Sequence, residues 1–150
     1  MAEEHPGIAS SLDPTQVTAQ IYQGGWLRAQ HIPELVRLGI THVLNLDLPS
    51  TDPLPLAEAN ITLHNIPVRD YCLMTPQLVR EIMDVIDRSL SSPAHKIYIH
   101  CVVGVSRSPT IAWLYLIHRG LSPEDATAKV KPNPALYDAG IVQQLTTHRP

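Results

Sequence analysis

One stretch constrains this chain more than any other. Lys96-Ile97-Tyr98-Ile99 is a short, mostly apolar run, His100-Cys101-Val102-Val103-Gly104-Val105-Ser106-Arg107-Ser108-Pro109 follows it, and a long apolar segment from Thr110 to Ile117 comes next. A short apolar run, a tight glycine-containing loop and a longer apolar run read as buried strand, loop and helix. The loop opens on a cysteine and closes on an arginine at the start of the helix, with Pro109 suited to the first helical turn.

That geometry has chemical consequences. A cysteine acts as a nucleophile through its thiolate, and a free thiol is mostly protonated at neutral pH. Beneath a helix N-terminus, the dipole and the unpaired backbone N–H groups favour the anion. The amides of Val102, Val103, Gly104, Val105, Ser106 and Arg107 can curl around one centre and hold a tetrahedral anion there. Gly104 supplies the backbone angles such a curl needs. Arg107 adds a planar fork matched to two phosphate oxygens. Ser108 puts a hydroxyl near the sulfur, where it can donate to a departing thiolate. The alternative is a small buried cysteine at a strand end beside a surface arginine.

Outside this stretch, turn and cap residues divide the chain. Residues 1–14, with Glu3, Glu4, Pro6, Gly7, Ser10, Ser11 and Pro14, read as a flexible leader, and 15–150 as a single domain large enough to bury a core. Strand-like pieces are expected from Val17 to Tyr22, before Gly24-Gly25 breaks the chain and Trp26 and Leu27 anchor the core. A helix is expected over Arg28–Leu38, with Pro33 in its first turn and Gly39 at its end. Ile40–Leu46 and Ile61–Ile66 read as strands on either side of a proline-rich loop with a short helical turn near Ala57. Thr75-Pro76 and Ser122-Pro123 each read as a cap followed by proline at the first helical position. A last helix is expected from about Ala135 to Thr147. Strands alternating with helices, then three helices, predict an α/β domain with a central, mostly parallel sheet of four to five strands flanked by helices.

Composition narrows the setting. The net charge of −3 gives no general attraction to nucleic acid or to anionic membrane, so neither is an expected partner. No apolar run approaches the length of a membrane span, and Met1–Ser11 lacks the basic and apolar regions of a signal peptide. The two cysteines, Cys72 and Cys101, form no disulfide framework, and the default location is cytoplasmic. The eight histidines show no HxxxH and no CxxC accompanies them, so no metal and no cofactor is expected.

A bare Cys-x5-Arg is a weak signal, but His100, Gly104 and Ser108 make this one specific. His100-Cys101-x5-Arg107-Ser108 resembles the signature of the cysteine-dependent protein tyrosine phosphatases. Ser106-Arg107-Ser108-Pro109-Thr110-Ile111-Ala112 and Gly39-Ile40-Thr41-His42-Val43-Leu44-Asn45-Leu46 look like the dual-specificity branch in particular. The resemblance spans about Ile21 to Leu145 and departs at Val103, where alanine is common in the branch. It implies the family's sheet-and-helices fold and a two-step hydrolysis of a phosphomonoester through a phosphocysteine intermediate. The expected substrate is a phosphorylated protein (Tyr and Ser/Thr) or a small phosphate ester. It also implies that His100 bonds to loop backbone and tunes Cys101, and that Asn133, in Pro132-Asn133-Pro134, packs beside the loop.

The reaction needs an acid, then a base. Asp70 follows a strand in a proline-flanked loop, 31 positions before Cys101, and is the expected group. Asp47 at another strand end is a rival, while Asp84 and Asp87 fall among solvent-facing helix positions. Tyr71 can line the pocket or simply pack. Cys72 could approach Cys101 and form a protective disulfide under oxidation. Two other readings remain open. One is the same chemistry on a phosphoinositide, a sugar phosphate or an RNA 5′ end, which the absence of lysine in the loop and of a basic patch disfavours. The other is a non-catalytic phosphopeptide-binding module on the same fold.

Overall fold

The structure, a computed structural model, describes residues 12–147. Most of the expected leader lies outside those residues; at its end Leu12 is buried against Tyr22, Leu27 and Leu35.

Five strands form one sheet: β1 (Thr15–Gln16), β2 (Ile21–Gly24), β3 (His42–Asn45), β4 (Thr62–Asn65) and β5 (Ile97–His100). Their spatial order is β1-β2-β5-β3-β4, with β1 antiparallel to β2 and every other pair parallel. The helices are α1 (Ile32–Leu38), α2 (Pro76–Ser89), α3 (Arg107–His118), α4 (Pro123–Lys129) and α5 (Ala139–Thr147), with short 3-10 turns at Ala29–His31, Ala57–Ala59 and Pro134–Leu136. This is the expected α/β architecture. No helix among the described residues is long and apolar enough to cross a membrane.

Alternation along the strands divides the core. Ile97 and Ile99 point to one face, where with Ile21, Leu44 and Leu46 they pack under α2, α3, α4 and α5. Tyr98 points to the other, with Tyr22, Val43, Leu27 and Leu35 of α1. Residues Arg107 to Ile117 of α3 are all buried, because sheet and helices enclose it on all sides.

The cap signals work as their chemistry requires. Thr75 Oγ1 accepts from the Leu78 amide at 3.1 Å, and Ser122 Oγ from the Asp125 amide at 3.1 Å. Gly39 closes α1 with φ 81°. The last helix is shorter than expected. Asn133 Oδ1 accepts from the Ala135 amide at 3.0 Å and starts a separate 3-10 turn, which ends in extended backbone at Tyr137. Asp138 Oδ1 then accepts from the Ile141 amide at 3.0 Å and starts α5 afresh.

The register explains where the site lies. Gly24, His100 and Asn45 are level across β2, β5 and β3. Asn45 is also level with Asn65 on β4. The segments that continue from these residues leave the sheet at its carboxyl edge, the usual binding edge of an open α/β sheet.

Candidate active site

Cys101 is the first residue past β5 and is 2% exposed. Its thiol donates to Ser108 Oγ at 3.3 Å, and the Ser108 amide donates to its sulfur at 3.4 Å. The sulfur therefore lies at the N-terminal end of α3, as the strand–loop–helix pattern requires. Val102, Val103 and Val105 point their side chains outward, at 45%, 70% and 73% exposure, which leaves the backbone to form the cup.

The cup rests on the other half of the sheet edge. Gly104 has φ 83°, and a Cβ there would lie 2.6 Å from the Gly24 carbonyl carbon and 2.7 Å from the Gly25 nitrogen. A Cβ on Gly25 would lie 2.9 Å from the Val102 carbonyl oxygen. The Trp26 amide donates to that same carbonyl at 2.9 Å, the Cys101 amide donates to Gly24 O at 3.3 Å, and the Tyr98 hydroxyl donates to Gly25 O at 2.7 Å. Gly24-Gly25, read from sequence only as a chain break, is thus the platform on which the loop lies.

Arg107 is 7% exposed. Its Nη1 donates to Asp47 Oδ1 at 3.2 Å and to the Val68 carbonyl at 3.1 Å. Both contacts use one nitrogen. They tie the segments after β3 and β4 to the loop. Asp47, a rival acid on the sequence, is instead the arginine's partner; its place at a strand end was the only signal available.

Two more residues brace the loop. Asn133 Nδ2 donates to Ser106 Oγ at 2.8 Å, and the Asn133 amide donates to Thr110 Oγ1 at 2.8 Å. Thr110 Oγ1 in turn donates to Ser106 O at 2.6 Å. Asn133 is therefore beside the loop as expected. His100 lies under it, with Nδ1 3.3 Å from the Cys101 carbonyl, so that this nitrogen carries the proton. Burial pushes the His100 ring down to about 4, with that backbone bond and the Asp47 charge opposing the shift. Its ring stacks on Tyr98 at 5.7 Å and meets the edge of Trp26 at 6.1 Å. Trp26 is half-buried rather than a core anchor, whereas Trp113 is buried and donates from Nε1 to Thr127.

Asp70 is exposed two residues beyond Val68, with Oδ1 accepting from the Tyr71 amide at 3.2 Å. Tyr71 is 84% exposed with φ 60° and does not pack. Cys72 is exposed and free; Cys101 is buried and free. Asp84 is exposed as expected. Asp87 is not simply solvent-facing: it accepts from the Tyr115 hydroxyl at 2.7 Å and pairs with His118 Nε2 at 2.8 Å, joining α2 to α3. On the Tyr98 face a cavity of about 510 Å³, lined by Trp26, Arg28, Asn45, Leu54 and His100 among others, shares His100 with the loop but does not include Cys101.

Gln23 carries no signal in the sequence that marks it for the site. It is 7% exposed on β2, and its Oε1 accepts from Ser108 Oγ at 2.9 Å.

Comparison with known proteins agrees with this architecture. A family model described as "PTP-SAK: Swiss Army Knife protein, DSP-PTPase phosphatase domain" matches residues 10–150. The chain is 34% identical over 139 residues to human dual specificity protein phosphatase 26, covering 87% of this chain and 64% of that one. It is 32% identical over 130 residues to human dual specificity protein phosphatase 9, covering 83% of this chain and 32% of that one. The chain thus spans less than two thirds of these relatives. Among solved structures, DUSP15 superposes with TM-score 0.62 at 27% identity, covering 93% of this chain and 87% of that one. Tk-PTP in its active form superposes with TM-score 0.71 at 19% identity, covering 90% and 97%. By family model, sequence relatives and fold alike, the chain belongs to the cysteine-dependent protein tyrosine phosphatase superfamily, in its dual-specificity branch.

Proposed function

We propose that this protein is a phosphomonoester hydrolase that works through a phosphocysteine intermediate on phosphorylated Tyr and Ser/Thr side chains of proteins. The observation that carries the reading is the placement of the Cys101 sulfur at the start of α3, within 3.4 Å of the Ser108 amide and next to the Arg107 loop.

In the first step Cys101 Sγ attacks phosphorus. The S–P bond forms as the P–O bond to the leaving group breaks. Arg107 and the amides of residues 102–107 hold the non-bridging oxygens, whose charge a fixed set of donors stabilises better than water does. Asp70 gives its proton to the leaving oxygen. In the second step water attacks phosphorus and gives its proton to the Asp70 carboxylate, and the S–P electron pair returns to sulfur. Ser108 stabilises that leaving thiolate by donating a hydrogen bond. His100 and Asn133 support the loop from below and from the side, and Tyr71 borders the acid.

The exposed valines of the loop support a protein substrate over more highly charged esters, because they supply no cation for additional phosphates. The compartment we propose is cytoplasmic.

The test is Cys101→Ser against an aryl phosphate and a panel of phosphotyrosine and phosphothreonine peptides, inositol phosphates, sugar phosphates and triphosphorylated RNA. The variant is expected to lose turnover while still binding vanadate or phosphate. A Cys101→Ser protein that hydrolyses at the wild-type rate overturns the mechanism. Preference for a non-peptide ester overturns the protein substrate, and absence of turnover by the wild type overturns hydrolysis itself.

A further inference from the structure

The Ser108 hydroxyl is completely buried and has one proton, but three acceptors surround it: Gln23 Oε1 at 2.9 Å, the Gly24 carbonyl at 3.1 Å and the Cys101 sulfur at 3.3 Å. When the sulfur is a thiol it donates to Ser108 Oγ, and the Ser108 proton goes to Gln23 or Gly24. A thiolate reverses this demand. It has no proton to give, and it needs one from Ser108. The sulfur is in that state before attack and again as the S–P bond breaks.

We propose that Gln23 is a positioning residue that sets the direction of the Ser108 proton. Its carbonyl accepts from Ser108 while Cys101 is a thiol. After a half-turn of the amide, its NH2 donates to Ser108 Oγ and directs the Ser108 proton to the thiolate. A half-turn of an amide exchanges an acceptor for a donor at the same place.

The surroundings favour such a turn. Gln23 shares the face of β2 that carries Ile21, packed against α3, and is 7% exposed. Among the described residues its amide has no other hydrogen bond, so the rotation breaks nothing but the bond being exchanged. A buried amide on an otherwise apolar strand face is costly without such a partner, and Leu or Ile would satisfy the packing alone.

The inference rests on the phosphocysteine reading, and one experiment separates the two. Burst kinetics with an aryl phosphate are measured for the wild type, Gln23→Leu and Gln23→Glu, and for Gln23→Leu in a Ser108→Ala background. A burst in the wild type establishes the intermediate, and turnover that persists in Cys101→Ser overturns the mechanism, and the role of Gln23 with it. Given a burst, Gln23→Leu is expected to slow hydrolysis of the phosphoenzyme about five- to tenfold, the worth of one neutral hydrogen bond. The acid limb of its kcat/KM profile is expected to move to higher pH. Gln23→Glu, which when ionised can only accept, is expected to be at least as slow; should it fail to fold, Gln23→Leu decides alone. With Ser108→Ala already present, Gln23→Leu is expected to change the rate less than about twofold. Wild-type phosphoenzyme hydrolysis in Gln23→Leu overturns the proposal. So does an equal loss with and without Ser108, because a merely structural role for Gln23 does not pass through that hydroxyl.

Discussion

Gly104 and Gly24 are in backbone contact: a Cβ on Gly104 would stand 2.6 Å from the Gly24 carbonyl carbon, against main chain that cannot swing aside. The two residues are 80 positions apart, and the parallel pairing of β2 with β5 brings them together. Gly104→Ala therefore combines a steric clash with a left-handed φ of 83°. The expected loss is about 2–4 kcal/mol of stability, read as a lower urea midpoint. Vanadate binding is expected to weaken at least tenfold because the cup opens. Unchanged midpoint and affinity would show that the loop relaxes freely away from Gly24.

Asp47 gives a different handle on the same loop. Its carboxylate is 27% exposed and Arg107 is 9% exposed on their side chains, so the pair is only partly screened. Among the described residues, Asp47→Ala leaves a buried guanidinium with the Val68 carbonyl as its remaining partner. Truncating one partner of a buried charged pair costs more than the pair itself contributes. Stability is expected to fall by about 1–2 kcal/mol, and kcat/KM for an aryl phosphate by about tenfold, as the fork loses its fixed orientation. A variant with higher kcat/KM than wild type would mean that Asp47 restrains Arg107 rather than orienting it.

The contrast between these residues explains how much could be read in advance. Cys101, Arg107 and Ser108 were legible because they lie within one turn of chain, where strand and helix patterns fix their relative positions. Thr75-Pro76 and Ser122-Pro123 were legible because capping is local. Gly24, Gln23, Asp47 and Val68 act across 39 to 85 positions. Their roles follow from sheet register, which hydrophobic pattern alone does not specify. Asp138, which restarts the last helix, carries a local signal: an aspartate cap three residues before Ile141.

His100 makes stability depend on pH. Burial first, opposed by its bond to the Cys101 carbonyl and by Asp47, sets the folded value at about 4, below the 6.5 of the unfolded chain. Between these values the unfolded state binds more protons, so acid favours unfolding. The contribution is fully present above pH 6.5 and lost as pH falls toward 4, about 3 kcal/mol in all. His42, lowered by burial and by the charges of His64 and His95, and His64, lowered by burial and Arg88, act with the same sign. His100→Asn keeps a donor for the carbonyl and removes the titration. Its urea midpoint is expected to fall less than that of the wild type between pH 7 and pH 4.5, with a residual slope from the other two rings. Parallel slopes for the two proteins would remove His100 from the account.

Asp70, the proposed acid, stands on an exposed loop. Its backbone continues from Val68, whose carbonyl holds Arg107, so the loop is anchored at one side of the cup while Asp70 itself is exposed. A general acid contributes in proportion to how poorly the leaving group departs unaided. Asp70→Asn preserves the acceptor for the Tyr71 amide and removes the exchangeable proton. For an alkyl or phosphothreonine leaving group, kcat/KM is expected to fall about 100-fold or more. For an aryl leaving group of low pKa, the first step is expected to change only about two- to threefold. The second step still needs a base, so phosphoenzyme accumulates and the burst grows relative to the steady rate. A uniform loss across leaving groups would leave Asp70 a loop-shaping residue and move the search for the acid to another side chain at the mouth.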